Sequence, residues 1–141
     1  MVVVLDTDVI VAAVVSGAGA SRFLLTEIAL GQLPAAVSVP LMLEYEAVLK
    51  RPTTLERAGA TAADMDVILD KLAATMRPVP IWYLWRPKLR DRNDDMVLEA
   101  AANAPASHLV SFNIRDFRNT PAEFGIELCQ PPHLARLLRN G

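Results

Sequence analysis

The sequence predicts an α/β protein built on a central, mainly parallel sheet with helices on both faces. Two observations predict it. Short β-branched or apolar runs alternate along the chain with longer segments that repeat apolar residues at helical spacing, as strands joined by crossover helices do. The chain is also 52% apolar over 141 residues, enough to bury a core as one domain, 1–141, without disulfide staples.

The elements follow in order. Val2–Leu5 is a β-branched run suited to a buried strand. Val9–Val15 and Ser21–Gly31 read as helices broken around Ser16–Gly19, with Gly31 as a helix stop. Ala36–Val39 is a second strand candidate, and Pro40 opens a helix that runs to about Lys50 and stops at Arg51-Pro52. Thr61 followed by Asp64 resembles a capping box opening a helix over Ala62–Met76, in which Met65, Ile68, Leu69, Leu72 and Met76 form the core stripe. Val79–Trp82 reads as an edge strand, since Pro78 and Pro80 suit an edge. Asp94–Asn103 reads as helix, Leu109–Phe112 and Ile126–Leu128 as strands, and Pro132–Arg139 as a closing helix.

Composition narrows the function. A lone cysteine, Cys129, excludes an intrachain disulfide and reads as a small core residue in a reducing, cytoplasmic setting. The apolar opening is interrupted by Asp6 and Asp8 and lacks a basic leader, so neither secretion nor a membrane span is expected. A net charge of −2 argues against broad phosphate binding but leaves room for an acidic catalytic pocket with a local basic rim.

The acids carry the chemistry. Asp6 and Asp8 follow the first strand, Glu44 sits about one turn into the helix after the second, Asp94 begins a helix that returns to the sheet, and Asp116 follows the strand ending near Phe112. In a parallel sheet these places share the carboxyl edge, where ligands gather. Taken singly, such acids are often turn or capping residues, and Asp8, Asp91 and Asp95 are read that way. Asp6 is different, because an acid framed by apolar residues must be neutralised by something. Converging carboxylates repel unless a hard cation accepts them, and Mg²⁺ or Mn²⁺ prefers such oxygen ligands. With two histidines and one cysteine, scattered, a zinc site of the structural or protease kind is not expected.

Four segments in order, LDTDVIVAAVVS at 5–16, LEYEAVL at 43–49, RDRNDDMVLEAA at 90–101 and LVSFNIRDF at 109–117, resemble the motif regions of PIN-domain proteins, and most closely the bacterial toxins of toxin–antitoxin pairs related to VapC. The resemblance implies a three-layer α/β/α sandwich and a ribonuclease active with Mg²⁺ or Mn²⁺. It makes Asp6, Glu44 and Asp94 the first three acids. The family's fourth acid commonly falls where this chain has Asn113, with Asp116 a nearby acid that completes the ring. Thr7 and Ser111 match positions where a hydroxyl supports carboxylates or a water. An RNA substrate, a homodimer and a cognate antitoxin are implied as partners. Asn113 accepts hydrogen bonds but brings no charge, so one metal ion or two remain open.

A basic rim is a separate expectation. Arg86, Lys88, Arg90 and Arg92 alternate before the acidic pair, and Arg115 and Arg118 flank Asp116, suited to a phosphate backbone. The alternative is solvated loop charge. Trp82, Tyr83 and Trp85 offer base stacking or, more simply, packing. Three competing functions stay in view. One is a non-catalytic PIN module that binds RNA or protein. Another is a phosphatase of the haloacid dehalogenase type, whose first motif Asp6-Thr7-Asp8-Val9 also resembles; the chain is short for that fold and shows no suitably placed lysine. The third, a receiver domain, lacks both its phosphorylatable acid after a middle strand and its later lysine.

Overall fold

A computed structural model describes residues 1–80, 92–117 and 119–140. The first strand, β1 (Val3–Leu5), has all three side chains fully buried. Successive strand residues point to opposite faces, so unbroken burial means that both faces of the sheet are covered. β4 (His108–Val110) runs parallel to β1 with Val3 opposite His108, and β5 (Glu127–Cys129) runs parallel to β4. On the other side, β2 (Ala36–Val37) pairs in parallel with β3 (Arg77–Pro78). A single bridge, Val3 with Ala35, and the Val3 N–H donated to the Pro34 carbonyl at 3.0 Å bring that pair alongside β1. The order across the molecule is therefore β3-β2-β1-β4-β5. From β1 the chain first builds outward to one side and later returns to build on the other. The crevice at such a reversal, at the carboxyl ends of the strands, is where open parallel sheets bind ligands.

The helices follow local rules. Asp6 caps α1 (Thr7–Ser16), which ends at Gly17 in the left-handed region at φ +68°, open to glycine at little cost. α2 (Gly19–Ala29) then leaves at 101° to α1 and closes at Leu30 before Gly31. α3 (Val39–Leu49) starts at Ser38, whose hydroxyl accepts the Leu41 N–H, with Pro40 in the first turn. α5 (Ala62–Thr75) has the expected capping box: Thr61 Oγ1 accepts the Asp64 N–H and Asp64 Oδ2 accepts the Thr61 N–H. Met65, Leu69, Leu72 and Met76 are buried and Ile68 partly so. α6 (Arg92–Asn103) packs on β1 and β4, and α9 (Pro131–Asn140) packs on α2, where the Arg139 guanidinium lies 4.5 Å from the centre of the Phe23 ring. Cys129 is buried, and burial pushes its thiol up to about 11, away from reactivity.

The structure departs from expectation in three places. Arg51-Pro52 ends one helix but also starts another, α4 (Pro52–Ala58), because a proline that cannot continue a helix serves well in a first turn. The third strand lies at Arg77–Pro78, earlier than Val79–Trp82. Arg77 and Val79 donate to the Ala35 and Val37 carbonyls, so Pro78, between them, is where no donor is needed. Residues 81 and 82 lie outside the described residues. The strand predicted to reach Phe112 stops at Val110, and two short turns of helix follow, α7 (Ile114–Phe117) and α8 (Thr120–Glu123). No single helix among the described residues is long and apolar enough to cross a membrane.

Candidate functional site

The site begins where β1 and β4 end. The Asp6 N–H donates to the Val110 carbonyl at 2.8 Å, extending the ladder by one step before the chain turns into α1. That pins the Asp6 side chain between the two strand ends. Its Oδ1 accepts the Thr7 N–H at 2.8 Å and its Oδ2 accepts the Ser111 hydroxyl at 2.7 Å. Ser111 is wholly buried, and its oxygen in turn accepts the Asn113 N–H at 2.9 Å. One hydroxyl thus orders both the first acid and the turn after β4.

Asp8 leans toward the same turn. Its Oδ2 accepts the Phe112 N–H at 3.1 Å and stands 3.4 Å from Ser111 Oγ. Ser111 has one proton to give, and the shorter contact to Asp6 takes it. Asp8 Oδ1 is buried with no hydrogen-bond partner among the described residues; the Val9 N–H donates to the Asp6 carbonyl at 3.0 Å, although it lies near enough to Asp8 to favour its charged form. Burial, and then the Asp6 charge, push the Asp8 carboxyl up to about 6 from 3.8, against the lowering effect of the Phe112 N–H, the Ser111 hydroxyl and the Val9 N–H.

Glu44 comes from α3, and its neighbour Tyr45 explains its position. Tyr45 is fully buried and donates its hydroxyl to the Leu5 carbonyl at 2.5 Å, tying α3 to the end of β1. Burial, with the nearby Asp6 charge, raises the Tyr45 phenol far above its ordinary value, so it remains a donor. Asp94 and Asp95 are buried in the first turn of α6, where N-terminal backbone dipoles favour carboxylates.

Asp6, Thr7, Asp8, Glu44, Asp94 and Asn113 line one cleft of about 480 Å³. Its apolar part is Val11, Ala12 and Val48, and Arg51 and Arg57 of α4 also line it. Asp116 is exposed and stands behind Asn113, whose Nδ2 donates to its Oδ2 at 2.8 Å; Asp116 does not itself line the cleft. Arg115 is exposed on α7. Lys88, Arg90, Arg86, Asp91, Arg118 and the Trp82, Tyr83 and Trp85 cluster lie outside the described residues, and so does the side chain of Arg92. A second hollow of about 250 Å³ between α2 and α5 is mainly apolar and has no acid in its lining.

Three cleft residues were not among the sequence candidates. Asp8 reads as a capping residue, but Asp6 takes the cap. Arg51 occupies the N-cap position of a helix that the sequence reading did not expect, and Arg57 lies in its last turn; the Arg-Pro pair was the available signal, since it marks a helix start as well as a stop.

The donors suit a hard divalent cation. They are carboxylate and amide oxygens with no thiolate or imidazole, and Asp8 Oδ1 is a buried oxygen without a hydrogen-bond partner among the described residues. Among the described residues, no group of three acids, histidines or cysteines stands in metal-holding geometry. That is compatible with Mg²⁺, which keeps several waters and needs only one or two direct carboxylates.

Comparison with known proteins agrees with this architecture. No curated protein matches the chain at a significant level. Among solved structures, a chain of the VapBC2 complex from Rickettsia felis, crystallised with a DNA fragment from its promoter, is similar in fold, with a TM-score of 0.61 at 19% identity, covering 92% of this chain and 98% of that one. A sequence profile of the PIN domain matches residues 2–115, a span that runs from β1 through the turn holding Ser111 and Asn113. With that match over most of its length, and with a parallel α/β fold similar to the VapBC2 chain, this chain belongs to the PIN-domain family.

Proposed function

We propose that the protein is a divalent-metal-dependent ribonuclease, the toxin of a toxin–antitoxin pair, hydrolysing RNA phosphodiester bonds in the cytoplasm. The observation that carries this reading is the gathering of Asp6, Asp8, Glu44, Asp94 and Asn113 on one cleft at the sheet reversal. Family membership and the fold of the VapBC2 chain support it. Asp6, Glu44 and Asp94 would hold Mg²⁺ or Mn²⁺, one or two of them directly and the rest through its waters; Asp116, expected as a ligand but lying outside the cleft lining, would act only by orienting Asn113. When bound, the cation supplies charge neutralisation at the scissile phosphate and a more acidic water.

The chain's own residues do the positioning. Ser111 and the Thr7 N–H fix both oxygens of Asp6, so the carboxylate does not need to reorganise when a ligand arrives. The Phe112 N–H holds one oxygen of Asp8, fixing that carboxylate in the cleft wall. Tyr45 anchors the turn of α3 that presents Glu44.

The test is cleavage of structured and single-stranded RNA in Mg²⁺ or Mn²⁺, with EDTA and folded Asp6→Asn as controls. Cleavage by the wild type that both controls abolish is expected; full cleavage by folded Asp6→Asn overturns the reading. A second reading, a non-catalytic PIN module that binds RNA or protein, draws on one feature: Asn113 is neutral where the family's fourth acid commonly falls. Calorimetry separates the two, since absence of Mn²⁺ binding favours the module. A homodimer and an antitoxin partner belong to the same proposal, and the VapBC2 complex is the structural precedent for the latter.

A further inference from the structure

We infer that Arg51 and Arg57 are the cleft's substrate-phosphate ligands: two guanidiniums, at the two ends of α4, that grip the RNA backbone next to the nucleotide held at the acidic wall. This rests on the nuclease reading for the identity of the substrate, and on separate observations for the contact itself.

The first is location. Both arginines line the same cleft as Asp6, Asp8, Glu44 and Asp94. The second is that neither forms an ion pair among the described residues, although acids share their cleft. Their neighbour Lys50 behaves oppositely: it bridges Glu46 at 3.1 Å and Asp66 at 2.6 Å, outside the cleft. The basic charge that could have been consumed internally is consumed by lysine, while the guanidiniums stay available. Planar forked donors of this kind match phosphate oxygens two at a time.

The third is shape. Apolar Val11, Ala12 and Val48 share the lining with the acids and the arginines. A cleft with an acidic part, an apolar part and a cationic part suits a chain with one phosphate at the acids, a sugar or base on the apolar surface, and further phosphates at the arginines. Arg51 and Arg57 are six residues apart across α4, about 9 Å of helix rise, so they reach different phosphates. The helix that carries them is firmly seated: it packs on α1 and α3, its own Thr54 is buried, and its end is closed by Gly59 at φ +63°. Both arginines are exposed, so the fold has no need of their charge.

The experiment measures binding of a fluorescein-labelled single-stranded RNA 12-mer to the full chain by anisotropy, in Ca²⁺, across a salt series, with probe integrity checked on a gel. Arg51→Gln and Arg57→Gln are compared with Arg136→Gln, an exposed arginine on α9 with the same charge change. Each cleft variant is expected to bind about tenfold more weakly, the scale of one charged hydrogen-bonded contact. Each should also flatten the slope of log K against log salt by about 0.7, the loss of one phosphate contact on a single strand. Arg136→Gln should change neither, and Arg51→Lys should keep the slope. Cleft variants that match the wild type or Arg136→Gln, a weaker affinity with an unchanged slope (the sign of a protein-docking face), or a wild type that binds no RNA each overturn the inference. Arginine-dependent binding without cleavage in Mg²⁺ or Mn²⁺ leaves it standing and overturns the nuclease reading; cleavage with arginine-independent binding does the reverse.

Discussion

Ser111 Oγ donates to Asp6 Oδ2 at 2.7 Å, joining the carboxyl ends of β1 and β4 across 105 residues of chain. The same oxygen accepts the Asn113 N–H, so one buried hydroxyl sets the first acid and the last turn of the cleft together. Ser111→Ala removes a buried donor and leaves an N–H without its acceptor. We expect a stability loss of about 1–3 kcal/mol in denaturant titration. Mn²⁺ affinity, read by calorimetry, should fall about 10–100-fold, the usual effect of losing a group that orients a metal ligand. Unchanged affinity in a folded variant would show that Asp6 holds its orientation by its capping bond alone.

Asp94→Asn keeps the size and the helix-start position of a buried residue while removing its charge. Metal-dependent RNA cleavage should drop about 100-fold or more, because the cation loses charge compensation at the acidic wall. Single-turnover cleavage beside circular dichroism measures this; near-wild-type rates with an intact fold would remove Asp94 from the site.

Asp8 predicts a pH dependence with a definite sign. Its folded-state carboxyl is raised to about 6 from 3.8 by burial and the Asp6 charge, so the folded state holds the proton more tightly than the unfolded chain. Its stabilising contribution is full below 3.8 and is lost as the pH rises through about 6. In EDTA, the Tm of the wild type relative to Asp8→Asn should fall across that window. Mg²⁺ or Mn²⁺ should restore it at neutral pH. A difference that stays flat with pH would mean that Asp8 titrates as an ordinary surface acid.

Tyr45→Phe tests the anchor of α3. The phenol is buried against the Leu5 carbonyl, and deleting the hydroxyl strands that acceptor at the end of β1. A loss of about 1–3 kcal/mol is expected from the denaturant midpoint. Cleavage should fall with it only if the Glu44 turn shifts, so the ratio of the two effects reports how rigidly α3 is otherwise held.

Thr61→Ala is the contrasting case. It breaks the capping box of α5, outside the cleft lining, and should cost about 1 kcal/mol with cleavage unchanged. Equal loss of activity and stability here would indicate that activity in this protein tracks global folding, and would weaken any assignment resting on single-residue activity losses.

Several features were legible in the residues themselves because their causes are local. The Thr61–Asp64 box, the Pro40 helix start, the Gly31 stop and the stripe from Met65 to Met76 depend on neighbours within a turn or two, so the linear order carries them. The alternation of apolar runs with helical periods likewise implied a parallel sheet, and with it the carboxyl edge where Asp6, Glu44, Asp94 and Asn113 line one cleft. Tertiary structure decided what depends on partners far along the chain. Asp6 became the cap, leaving Asp8 to the cleft, because Ser111 and Phe112 arrive from β4. Asp116 stands behind Asn113 because the chain leaves the sheet at Val110 and turns there. Arg51 and Arg57 share the cleft with the acids because α4 packs across α1 and α3, a packing direction that no local pattern encodes.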